Sequence, residues 1–324
     1  MNRRTLFTAL GLAAVGIGIF LLYRVFQKND FGEVVAVLSS VKASDIGLAL
    51  LFTAISYGCV AVLEFFAVLY VRKPVPIRRV VMTALAAIGI GRTIGLAALS
   101  SGAVRYRMYS RAGLSLVNVG TIILFSGLSV AAGFAAIGGT ALLWRGDFLA
   151  PLLGVSPTMV RGIGAGALVY LAVYIALCAI LRRPLKFRSH RLRLPSLRLA
   201  LGQVVVSSLN LLCIVGVLYI ALRNFTDQDY PVVAMLYLGG DLSAVIGHVP
   251  GGWGVLEYIV TTALTDGKVL SGVVLFRAIY YFVPLGAGLL IFLADEVQHR
   301  VTSQPERSLS RLQGKHMISD AKAR

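Results

Sequence analysis

Five charged side chains stand inside long apolar runs of this sequence: Glu64, Arg92, Asp241, Glu257 and Arg277. A charge at the centre of a membrane helix costs roughly 2.5–3.5 kcal/mol on insertion scales, so such residues pair with one another or face water or a polar ligand. Arginine's planar fork meets a phosphate bidentately, and a carboxylate either neutralises that arginine or receives an ammonium group. Arg92, Arg105 and Arg277 are therefore candidates to hold a phosphate, with Asp241 and Glu257 to balance them or take a cationic group. Tyr280 and Tyr281 follow Arg277 at i+3 and i+4, on nearly the same helical face, where their hydroxyls can join it around a polar group. Plainer readings stand beside these. Glu257 can cap a helix, pair with Arg277 or with an arginine of the first hairpin, or touch a cationic substrate group. Arg92 and Arg277 can be structural partners, and Arg105, Arg107 and Arg111 can be snorkelling charges that set topology.

Other chemistries lack their residues. There is no H-E-x-x-H, no G-x-S-x-G and no Walker loop, and Cys59, Cys178 and Cys213 lie in apolar runs without C-x-x-C spacing. No metal and no cofactor is expected. A membrane-embedded enzyme using Glu257 or Asp241 as acid or base stays open.

The elements that must position these residues are two interrupted apolar segments. Pro250-Gly251-Gly252-Trp253-Gly254-Val255-Leu256-Glu257 opens with residues that cannot sustain a helix and ends in a carboxylate. Non-helical backbone at membrane depth persists only where protein surrounds it or it lines a polar cavity. An earlier stretch, Ser100-Ser101-Gly102-Ala103-Val104-Arg105-Tyr106, aligns Gly102 with Gly254 and Arg105 with Glu257. Paired interruptions in two halves of a chain point to a transporter's binding site.

The rest of the chain reads as membrane helices. Of 324 residues 57% are hydrophobic and 14% charged, against about 25% charged in soluble domains. The net charge of +17 falls in short clusters between apolar runs, which is the positive-inside pattern and argues against nucleic acid. Full spans are expected at Leu6–Tyr23, Ile46–Val71, Leu114–Trp144, Gly162–Leu181, Leu199–Leu222 and Val269–Ala294, the last kinked by Pro284. A single crossing by Val80–Ser101 would put the arginines after it, and the cluster Arg182–Arg198, on the outer face. Val80–Gly113 is instead expected to enter and return as a hairpin, and Val232–Leu264, with His248, to do the same from the opposite face. The fold class is thus an all-α polytopic membrane protein, about six full transmembrane helices plus two re-entrant helical hairpins in an inverted pseudo-repeat. Residues 1–294 form one transmembrane domain and 295–324 a basic, disordered tail; both termini are expected in the cytoplasm. Gly91-x-x-x-Gly95 and Gly162-x-x-x-Gly166 read as helix-packing faces.

Three stretches carry a resemblance: Leu99 to Ser110, Val249 to Glu257, and Phe276-Arg277-Ala278-Ile279-Tyr280-Tyr281-Phe282-Val283-Pro284-Leu285. In order and spacing, from about Asp45 to Ala294, they resemble the multiple peptide resistance factor family, specifically the N-terminal transmembrane half of the bifunctional lysylphosphatidylglycerol synthetases and related stand-alone proteins. The resemblance implies a bacterial inner-membrane flippase for aminoacylated phosphatidylglycerol that lowers the surface's attraction for cationic antimicrobial peptides. The family's transferase domain has no counterpart here, so synthesis of the lipid is not implied. Two alternatives remain, a membrane partner of a separate aminoacyl-lipid synthetase and an embedded lipid-modifying enzyme. The expected partner is a membrane phospholipid, and homo-oligomerisation is left open.

Overall fold

The computed structural model describes residues 41–94, 97–181, 185–187, 190–192, 194–247, 249–264 and 269–299; the expected span Leu6–Tyr23, Gly95, His248 and the chain beyond 299 lie outside them. Five described helices are long and apolar enough to cross a membrane: α1 (Ala43–Val71), α4 (Leu116–Leu153), α5 (Pro157–Ile180), α6 (Leu197–Leu222) and α9 (Val269–His299). Two helical hairpins lie between them. The first is α2 (Ile77–Ile94) with α3 (Ala97–Ser110); the second is α7 (Tyr230–Ile246), a 3₁₀ turn at Pro250–Gly252, and α8 (Val255–Ala263). Between α5 and α6 two three-residue strands, β1 (Leu185–Phe187) and β2 (His190–Leu192), pair antiparallel within the basic cluster. Apart from short connections, the described residues are otherwise helical, as lipid demands of a backbone that must satisfy its own donors and acceptors.

Helix boundaries follow local chemistry. Ser115, Ser156 and Ser196 cap α4, α5 and α6, each accepting a backbone N–H three residues on. Gly154 ends α4 in the left-handed conformation, at φ 65°. The backbone of α4 bends at Arg145 (φ −124°, ψ 30°), one residue past the expected end of that span, and helix resumes to Leu153.

Ion pairs fix which helix ends share a face. Arg79 at the start of α2 and Arg111 just past the end of α3 both bridge Asp295 near the end of α9, so the first hairpin returns to the face it left. Asp45 at the start of α1 meets Arg223 after α6 at 2.6 Å, and Arg145 meets Asp229 before α7, marking the opposite face. A Cβ on Gly272 would lie 2.9 Å from Leu222 Cδ2, placing the start of α9 beside the end of α6 on that opposite face. The second hairpin therefore opens there. Each half repeats span, hairpin, span, with the hairpins entering from opposite sides.

The largest core cluster joins the second half of α6, the first half of α7 and the start of α9, around Tyr237, Phe276 and Tyr280. Along its later course α9 packs on the first hairpin through Ala86, Ala87, Ile90, Val104, Met108, Leu285, Leu289 and Phe292. There a Cβ on Gly89 would run into the carbonyl oxygen of Pro284. Ahead of Pro284 the helix widens into a π segment, Ala278–Phe282, in which Val283 N–H bonds to Ala278 O. Proline has no N–H to donate, and this wide turn absorbs the mismatch where a kink was expected.

Two packing expectations are corrected. Among the described residues Cβ atoms on Gly162 and Gly166 would meet nothing within 4 Å, and the α4–α5 contact runs instead through Gly139 and Gly164, whose Cβ positions would each fall within 3 Å of the other's carbonyl oxygen. The tail does not begin at Asp295, because α9 continues to His299 with Asp295 and Glu296 buried.

Candidate functional site

The turn that breaks the second hairpin depends on three glycines with left-handed backbone: Gly251 and Gly252 at φ 63° and Gly254 at φ 83°. Space requires the first of them as well. A Cβ on Gly251 would lie 2.6 Å from Trp253 Nε1 and 2.8 Å from the carbonyl oxygen of Thr93, so the turn sits against the inner end of the first hairpin. The two hairpins meet tip to tip inside the bundle.

Arg277 holds this turn. Its Nε donates to Glu257 Oε1 at 2.5 Å and its Nη2 to Glu257 Oε2 at 3.0 Å, while Nη1 and Nη2 donate to the carbonyl oxygens of Gly251 (2.9 Å) and Gly252 (2.7 Å). Its guanidinium carbon lies 4.4 Å from the centre of the Trp253 ring and 4.9 Å from that of Tyr281. Glu257 also accepts the Gly254 N–H at 3.0 Å, the carboxylate half of a capping box at the start of α8. Two of the readings open for Glu257 therefore hold together, the cap and the pair with Arg277.

Arg105 is engaged just as fully, elsewhere. It forks onto Glu64 of α1, with Nε to Oε1 at 2.9 Å and Nη2 to Oε2 at 2.8 Å, and donates to Ser101 Oγ at 3.1 Å. Tyr109 donates to the same carboxylate at 3.1 Å. Gly102 lies inside α3, not at a break, with Ile123 Cδ1 3.1 Å from where its Cβ would stand. The alignment of Gly102 with Gly254 thus equates a helix interior with a helix cap, and Arg105 and Glu257 pair with different spans rather than with each other.

Arg92, near the inner end of α2, is held differently. Its carboxylate partner is Asp241 of α7, at 3.5 Å. Tyr237, one turn before Asp241, accepts a short hydrogen bond from Nη2, and Tyr280 lies 3.4 Å from Nη1. The rings of Tyr280 and Tyr281 approach the guanidinium at 5.3 and 5.9 Å. Tyr280 is fixed from behind by Ser56 at 2.8 Å, which donates onward to Asn210 at 2.7 Å. Exposure sets this pair apart from Arg105–Glu64, at 22% and 25% against 3% and 1%, and distance sets it apart from Arg277–Glu257, at 3.5 Å against 2.5 Å. Among these three pairs inside the bundle, Arg92–Asp241 is the long and open one.

The structure thus gathers Arg92, Asp241, Tyr280 and Tyr281 into one cluster, with Arg277, Glu257 and the Pro250–Gly254 turn adjoining it across the Tyr281 ring. Arg105 lies outside it. Sequence reasoning missed Tyr237, Ser56 and Asn210. The first has a readable signal in its i, i+4 spacing to Asp241; the other two are polar residues in apolar spans that no motif marks. Among the described residues no group of His, Cys, Asp and Glu is placed to hold a metal ion.

Comparison with known proteins bears on this geometry. A family profile described as the lysylphosphatidylglycerol synthase TM region matches residues 10–288. An uncharacterised protein of Synechocystis, slr0712, is 26% identical over 298 residues, covering 89% of this chain and 92% of that protein. The inner membrane protein YbhN of Escherichia coli is 28% identical over 293 residues, covering 87% and 90%.

Proposed function

The chain belongs to the lysylphosphatidylglycerol synthase TM region family, and from that premise we propose that it binds a phospholipid headgroup at the Arg92–Asp241 cluster and moves the lipid between leaflets. The observation that carries this reading is that this pair is long and partly exposed at both partners, beside two tight arginine–carboxylate forks. A guanidinium with its carboxylate at 3.5 Å and its face over tyrosine rings has donors to offer a phosphate. Asp241 beside it offers an acceptor to an amine, so a headgroup bearing both phosphate and cation fits better than a plain anion. Aminoacylated phosphatidylglycerol is such a lipid, and it agrees with the family's description. The tip-to-tip hairpins suit transport, since opening either one would expose the cluster to a different face. The clustering of basic ends on one face supports a cytoplasmic assignment for that face, and the name of the E. coli relative supports the inner membrane.

Reconstitution tests the reading. In vesicles, labelled lysylphosphatidylglycerol should cross the bilayer faster with the protein present. Arg92→Gln should slow it about tenfold while lowering thermal stability less than Arg277→Gln does, because the Arg92 pair is longer and only partly buried. Asp241→Asn should favour plain phosphatidylglycerol over the aminoacyl lipid. Chemical change of the label without movement would replace this reading with the embedded enzyme. Neither, unless a separate synthetase is added, would replace it with the partner subunit.

A further inference from the structure

A second arginine cluster sits on the basic face, away from Arg92. Arg79 from α2 and Arg107 and Arg111 at the end of α3 converge on Asp295 and Glu296 of α9. Asp295 accepts from Arg79 Nη1 at 3.1 Å and Arg111 Nη1 at 2.5 Å. Glu296 accepts from Arg107 Nη2 at 2.9 Å and from Arg111 Nη2. Among the described residues, three guanidiniums face two carboxylates in this cluster. One donor has no acceptor among the described residues: Arg111 Nε, which is buried. A buried donor without a partner marks a place where an ion or other group belongs.

We propose that this triad is a phosphate site, completed by the phosphodiester of an anionic phospholipid in the leaflet at the basic face, and that the lipid competes there with Asp295 and Glu296. The mouth of the site is formed by Arg79 and Arg107, 31% and 24% exposed, while the two carboxylates are nearly covered. Lipid phosphates lie at the depth where a transmembrane helix such as α9 ends. Arginine forks suit a diester's two free oxygens, as they suit the carboxylates they now hold. Occupancy has a mechanical consequence. The two acids tie both ends of the first hairpin to α9, so a phosphate that takes over the arginines loosens the hairpin whose inner end carries Arg92. The site stands whether or not the protein moves lipid.

Thermal unfolding of the full chain in neutral detergent, titrated with dihexanoyl-phosphatidylglycerol, tests it. The expected result is saturable stabilisation that dihexanoyl-phosphatidylcholine at equal concentration does not reproduce. Arg107→Gln should weaken the apparent affinity about tenfold. Asp295→Asn with Glu296→Gln removes the competing acids and should tighten it, a sign that a merely structural cluster would not give. Should Arg107→Gln fold poorly, Arg79→Gln, at the more exposed edge, supplies the same test. An apparent affinity unmoved by removal of either the arginines or the acids would overturn the proposal, as would absence of saturation. Equal stabilisation by inorganic phosphate at the same concentration would overturn the assignment to a lipid.

Discussion

Arg277 and Glu257 can be separated by substitution, and the geometry ranks the outcomes. Arg277→Gln removes a guanidinium that is 3% exposed and makes four hydrogen bonds. It leaves a carboxylate with only the Gly254 N–H as a partner among the described residues and strands the carbonyl oxygens of Gly251 and Gly252. Breaking a buried pair in this way costs about 3–5 kcal/mol. Glu257→Gln is milder, about 1–3 kcal/mol, because the amide oxygen can still accept and Arg277 keeps both carbonyls and both rings. The informative variant is the exchange, Arg277→Glu with Glu257→Arg. Contact alone would predict recovery. The surroundings predict the reverse, because the carboxylate at position 277 would face two carbonyl oxygens and the negative faces of Trp253 and Tyr281, and the guanidinium at position 257 would sit at the start of α8, where the helix dipole disfavours a cation. Thermal unfolding in detergent should rank wild type above Glu257→Gln, then Arg277→Gln, then the exchange, the last two lowered on the order of 10 °C. An exchange variant as stable as wild type would refute the reasoning that Arg277 serves the turn as well as the carboxylate.

Three further outcomes are expected. Cysteines at Lys73 and Ser110, in a background without the natural cysteines, should react with an impermeant reagent from one side of the membrane and one at Asp227 only from the other; labelling of Ser110→Cys from the side of Asp227 would sink the first hairpin. Gly89→Ala should be destabilising by more than about 2 kcal/mol because its Cβ has no room against Pro284, whereas Gly162→Ala and Gly166→Ala, facing open space, should stay within about 0.5 kcal/mol by the same thermal assay. Cells lacking the protein should keep the aminoacyl lipid in total extracts but show less of it in the outer leaflet and bind more of a cationic probe protein; loss of the lipid from whole extracts would contradict transport.

What the sequence disclosed was governed by periodicity and by charge. Long apolar runs and clustered arginines were enough to place α1, α4, α5, α6 and α9 and to require that Val80–Gly113 turn back, since lipid penalises misplaced charge steeply. The second hairpin was legible because its break is written in residues, three glycines and a proline, that only a special backbone needs. Partner choice was not legible. Whether Arg105 met Glu64 or joined Arg92 depends on how α1 lies against α3, and nothing local encodes that. The same holds for Gly139 and Gly164, which look no different in sequence from Gly162 and Gly166. Asp295 and Glu296 were assigned to a polar tail because charge near a chain's end reads as solvated; their three arginine partners lie more than 180 residues away.

The closed pairs explain why the open one can exist. Arg92 stands among tyrosines with its carboxylate at 3.5 Å, an arrangement that would relax into a tight fork if α2 and α7 were free to approach. They are not free. Glu64–Arg105 ties α3, and through it α2, to α1, while Arg277–Glu257 pins α8 and the turn after α7 to α9. Ser56 and Asn210, from α1 and α6, hold Tyr280 in place beneath the guanidinium. Two arginine–carboxylate pairs thus keep the third apart. The Tyr281 ring lies between Arg92 and Arg277, at 5.9 and 4.9 Å, so a change in either cation is felt by the other. Substitution of Tyr281 by leucine should therefore couple to both: the loss from Arg92→Gln in lipid movement and the loss from Arg277→Gln in stability should each be smaller in the Tyr281→Leu background than alone. Strict additivity in both cycles would show the two arginines to be independent.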